Sequence, residues 1–240
     1  MKKTITILTL VVATNVALAA PRASLDKRIG SITVTEITSA AGHEKLLLVD
    51  PPVSTPVTPA VDPTEKVGKI VAGAKDIVAL GEAIYTLVQK GKPKNQTEYA
   101  PISVVPRDPM TKEIADPFDL EGFSIPVERV FRANIKNMTG KPVVTFTYKL
   151  IYSYGGSYNG TGKYLTAVQI VPASVVTKFG WEFNATMKVA GIMNHGTKAD
   201  PIAGVLVAIK YQFNSWGTAE EKNDTIHITG AGQMKSYGIR

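Results

Sequence analysis

The chain has 240 residues, 44% of them apolar and 20% charged, a balance that builds a packed core and argues against a disordered chain. The formal charge is +7, but Lys and Arg are scattered rather than stacked in runs, which leaves no footprint for a nucleic acid. There is no cysteine, so disulfides, a thiol nucleophile and cysteine-based metal sites are all excluded.

Residues 1–19 read as a secretory signal peptide. Lys2 and Lys3 form the basic n-region, an apolar stretch follows from Ile5 to Val16, and Ala17-Leu18-Ala19 supplies the small-x-small end. The apolar stretch is short of the roughly 20 residues that a bilayer span needs. Export to the periplasm, the cell surface or the medium is the expectation. Residues 20–49 form an N-terminal arm or short hairpin, or a propeptide, with Ile32, Val34 and the run Leu46-Leu47-Leu48-Val49 as its apolar content. Residues 50–62 are a Pro/Thr-rich linker, because repeated prolines remove backbone donors and favour an extended, hydrated chain.

Residues 63–91 carry the pattern of an amphipathic helix. Asp62-Pro63-Thr64-Glu65 offers an N-cap with proline at the first helical position, and Gly91 and Pro93 offer a stop. Val67, Ile70, Val71, Ala74, Ile77, Val78, Gly81, Ile84, Tyr85 and Val88 recur at three- and four-residue steps. Val67, Lys69, Ile70, Lys75, Ile77 and Ile84 are the expected membrane- or partner-facing residues, with the lysines suited to anionic lipid.

Residues 95–240 read as a β-sandwich of about seven strands. Ile102–Val105 lies between Pro101 and Pro106, which suggests an edge strand. Phe131, Ala133 and Ile135 alternate with polar residues, and Asn137 to Gly140 turn the chain into residues 143–154, VVTFTYKLIYSY. There Val144, Phe146, Tyr148, Leu150, Tyr152 and Tyr154 share one face. A glycine-rich hairpin connection follows, then a strand that Pro172 is expected to end. Residues 181–189, 205–213 and 225–229 alternate in the same way. The fold class is therefore mainly β, an antiparallel sandwich preceded by one amphipathic helix.

Chemistry is sparse. The glycine-rich connection lacks the Lys-Ser/Thr end of a phosphate loop, and no Gly-x-Ser-x-Gly elbow occurs. His43, His195 and His227 stand in unrelated segments, and His227 reads as a surface residue. The acids Asp116, Asp119 and Glu121, and Glu220, Glu221 and Asp224, read as solvated surface or a weak calcium site rather than a catalytic pair. No catalytic residue, metal site or cofactor is assigned. The suggestive residues are Tyr154, Tyr158, Asn159, Tyr164 and Trp181, aromatics with polar tips that suit sugar stacking or a membrane interface. The expected function is non-catalytic binding of a glycan, an envelope component or an anionic membrane surface. In element order, one amphipathic helix and then a tyrosine-rich sandwich, the chain is loosely similar to the actinoporin pore-forming toxins, which implies a helix that leaves the sandwich for lipid.

Overall fold

The computed structural model describes residues 26–38, 70–73, 75–95 and 99–239. The expected signal peptide and linker, and the first residues of the expected helix including Val67 and Lys69, lie outside them. Among the described residues the chain forms two antiparallel sheets. The first runs, edge to edge, β1 (Ile29–Glu36), β7 (Val127–Asn137), β8 (Pro142–Tyr158), β9 (Thr161–Thr177), β6 (Ile102–Pro106), β3 (Ile77–Leu80) and β2 (Ile70–Gly73). The second runs β13 (Met234–Ile239), β12 (Thr218–Thr229), β11 (Ala203–Ser215), β10 (Glu182–Asn194), β4 (Ile84–Gln89) and β5 (Lys92–Pro93).

Alternating side chains explain how the sheets meet. Val144, Phe146, Tyr148, Leu150 and Tyr152 of β8 are all buried, as are Val205, Val207, Ile209, Tyr211 and Phe213 of β11. These rows face each other. Phe146 lies 5.5 Å from the Phe183 ring and 6.4 Å from Tyr211, measured between centroids. Tyr85 of β4 adds a polar tie, since its hydroxyl accepts the Ile170 N–H of β9 at 2.7 Å. Burial raises the Tyr85 pKa to about 12, so the phenol stays protonated. The β7–β8 hairpin forms in the expected register, with Phe131 opposite Tyr148 and Ile135 opposite Val144.

The expected helix over residues 63–91 is a correction. Its described part is three short strands, β2, β3 and β4, interrupted at Lys75-Asp76 and at Gly81. Gly81 has φ +128°, which no helical residue adopts. Ile77 to Leu80 are buried on both faces, so β3 is a continuous apolar run, and such a run mimics helical spacing when strung beside its neighbours. The residues expected to stop a helix instead build a hairpin, with Lys90 and Gly91 both at positive φ between β4 and β5. The element order behind the likeness to actinoporins is lost with the helix.

Three further expectations change. Strand β6 is interior, paired with β9 on one side and β3 on the other, because its flanking prolines sit at its ends and leave the ladder intact. Pro172 does not end β9. It falls opposite Tyr148 at a register shift, the kind of irregularity at which a strand accommodates proline. The sandwich also recruits strands from before residue 95, and β1 joins it by pairing with β7.

Candidate functional site

The strand directions define two ends. Tyr158, Asn159 and Tyr164, three of the five expected ligand-binding residues, meet at the end where β8 turns into β9. They line a cavity of about 360 Å³ together with Lys75, Arg107, Asp108, Lys112 and Lys198. Asn159 and Gly160 make the tight turn at its rim. The Tyr158 hydroxyl donates to Asp108 Oδ2 at 3.1 Å, and Asp108 Oδ1 accepts the N–H groups of Met110 and Thr111, each at 2.8 Å. Those N–H donors, Thr111 first, lower the Asp108 pKa. The Asp108 bond in turn raises that of Tyr158. Tyr164 forms the floor, its pKa pushed up to about 12 by burial and by Asp200 and Asp76. Four basic residues against Asp76 and Asp108 give the cavity a net positive lining suited to an anion.

Tyr154 and Trp181 are elsewhere. Tyr154 is half-buried, its ring 6.3 Å from Tyr152. Trp181 lies at the opposite end of the sandwich, in the connection between β9 and β10. There the chain's other tryptophan, Trp216, joins it across Gly180. A Cβ on Gly180 would stand 2.6 Å from Trp216 Nε1, so only glycine lets the indole lie down on that loop. Phe179 is 98% exposed and Trp216 70% exposed, and Met138 and Val176 are exposed at the same end. Clefts of about 630 and 550 Å³ share Gly180, Trp181, Ser215 and Trp216 in their linings. The first also holds Glu182, Asn214 and Thr218, and the second Lys27, Lys141 and Lys178.

Trp216 has an unusual backbone. It sits with Gly217 in the two-residue turn between β11 and β12, with Ser215 opposite Thr218, and both turn residues have positive φ, 22° and 87°. That turn favours Asn, Asp or Gly at its first position, and a bulky residue there is strained. Lys27 Nζ stands 6.0 Å from the Trp216 ring, at the outer limit of a cation–π contact. The Thr218 hydroxyl holds the incoming chain by donating to the Lys27 carbonyl at 2.7 Å.

Of the residues expected to face a membrane or partner through a helix, Ile77 is 1% exposed inside β3, so it is removed from that role. Ile70 and Ile84 are exposed on separate short strands, and Lys75 lines the cationic cavity. Phe179 and Trp216 were missed because they occupy turns, where alternation carries no signal. His227 is also a correction. It is buried and its ring meets that of His195. Among the described residues no group of three or more His, Asp or Glu is placed to hold a metal ion. No helix among the described residues is long and apolar enough to cross a membrane. No protein-family model matches the chain, nor does any curated protein or solved structure.

Proposed function

We propose that the protein is an exported, non-catalytic β-sandwich module that docks its aromatic end on an anionic envelope surface. The observation that carries this reading is the pair Phe179 and Trp216, two large rings held out into solvent on adjacent loops. Exposed apolar groups that cluster at one end of a monomer mark a contact surface. Lys27, Lys141 and Lys178 beside them outnumber Asp26, which lines the same cleft 3.9 Å from Lys141, and the net positive charge attracts anionic headgroups, while aromatic rings partition to the interfacial zone. The strained turn under Trp216 supports a role outside stability, since a residue chosen for the fold would be Asn or Gly.

A second reading, glycan stacking, is favoured by the polar lining of Glu182, Asn214 and Thr218 beside Trp181 and Trp216. One experiment separates the two. The purified protein is sedimented with phosphatidylcholine vesicles with and without phosphatidylglycerol, and in parallel with insoluble neutral polysaccharides. Binding only to the anionic vesicles, weakening as salt rises, is expected. Trp216→Asn and Phe179→Ser should each lose at least about tenfold in affinity, consistent with removal of an interfacial aromatic. Trp216→Asn should also keep or gain thermal stability, because Asn tolerates positive φ. Equal vesicle binding by wild type and both variants would sink the proposal, and salt-insensitive polysaccharide binding would replace it with the glycan reading.

A further inference from the structure

His195 follows β10, and His227 lies in β12, with β11 between them. Gly204 of β11 pairs with Met193 on one side and Thr229 on the other. Having no side chain, it lets the two imidazoles lean over the middle strand and meet. Their Nε2 atoms are 3.0 Å apart, their ring centroids 4.8 Å, and their planes are inclined by 41°. A Cβ on Gly204 would stand 2.7 Å from His195 Nε2 and 2.8 Å from His227 Nε2. His195 Cδ2 would be 2.8 Å away as well, so the gap above Gly204 is bordered by the Nε2–Cδ2 edge of His195 and by His227 Nε2.

We propose that His195 and His227 form a two-imidazole site for a late first-row divalent cation, copper(II) ahead of nickel(II) and zinc(II). Metal–nitrogen bonds of about 2.0–2.1 Å at angles between 90° and tetrahedral place two ligand nitrogens about 2.9–3.4 Å apart. The observed separation lies inside that range without movement of either strand. In the metal-free protein one Nε2–H donates to the other Nε2. A bound cation sits off the line between the two nitrogens: the rings turn toward it, the donor ring's hydrogen moves through water from Nε2 to its own Nδ1, and each ring then offers the Nε2 lone pair. Imidazole suits these metals, and the order of preference follows their general affinity series. Lys235, the cross-strand partner of His227, directs its ammonium to the Tyr237 ring at 5.2 Å, which turns the like charge aside. With two protein ligands, the remaining coordination positions fall to water or to an exogenous group, so the site is an open one.

Copper(II), nickel(II) and zinc(II) salts are titrated separately into the full chain by calorimetry, and the copper form is examined by electron paramagnetic resonance. One equivalent of copper bound at micromolar concentration, with hyperfine coupling from two nitrogens, is expected. His195→Gln and His227→Gln should each weaken binding by at least about tenfold, the range of a lost or misplaced ligand. Gly204→Ala retains both imidazoles but puts a methyl group between them, and it should weaken binding as much. Its clash is with the far ends of two side chains, so the sheet survives it. His43→Gln should change nothing. No copper bound at micromolar concentration overturns the proposal. So does copper binding that His227→Gln and Gly204→Ala leave unaltered in protein whose circular dichroism matches wild type.

Discussion

Asp224 is a carboxylic acid set deep in the core. It is fully buried between Tyr148 and Tyr211; the Tyr148 hydroxyl donates to Oδ2 at 3.5 Å, and Oδ1 lacks a hydrogen bond. Burial raises its pKa against the pull of the Thr225 N–H and the Tyr148 and Ser236 hydroxyls. A carboxyl whose folded pKa lies above its unfolded value supports the fold below the ordinary carboxylate range. That support is lost as pH rises through the raised value. Ionised Asp224 is therefore a liability at neutral pH. Asp224→Asn should raise stability at pH 7 by on the order of 1 kcal/mol, the scale of one unsatisfied buried group. The advantage should shrink toward pH 4; urea melts across that range measure it, and a constant difference would refute the assignment. Parity already pointed to the core here, because Asp224 shares the face of Ile226 and Ile228. The acids near it in sequence disguised that. His227 has the opposite parity, and its burial was not legible, since it depends on His195 arriving from another strand and on the bare backbone of Gly204.

At the scale of elements, two-sided strands were readable and one-sided rules failed where both faces are covered. β7, β8, β10 and β11 each have one core face, so period two identified them. β3 has none free, and a buried run of Ile77, Val78, Ala79 and Leu80 gives no period to read. Enrichment in β-branched residues, with Gly81 between two such runs, was the available counter-signal to a helix. The aromatic end was half legible for a similar reason. Trp181 opens an alternating strand, whereas Trp216 reaches it only through the pairing of β10, β11 and β12. β1 supplies a test at this scale. It covers the edge of β7, packs Ile29, Ile32 and Val34 on the core, and is pinned where Arg129 meets Glu36 at 3.4 Å. Removing residues 20–38 bares the β7 ladder, and an uncovered edge recruits another. The truncated protein should self-associate, visible as a concentration-dependent mass by light scattering; a stable monomer would argue that β1 is dispensable.

Across the whole molecule the two sheets share one aromatic core. Phe146 touches Tyr148 within its own sheet and Phe183 and Tyr211 in the other. Phe146→Ala should cost about 3–5 kcal/mol, the usual range for a buried phenylalanine. Loss of strand signal in circular dichroism and loss of tryptophan fluorescence should stay coincident, since the indoles sit at the end that both sheets build. Separate transitions would mean that the sheets unfold independently. The β8–β9 hairpin has a consequence of its own. Each arm has 17 residues, and at about 3.3 Å per residue the pair spans roughly 50 Å. The cationic cavity and the aromatic loops stand at its opposite tips, several screening lengths apart. Charge captured at one tip is electrostatically silent at the other. A molecule seated on a surface by its indoles would hold an anion clear of that surface, as a standoff rather than a switch.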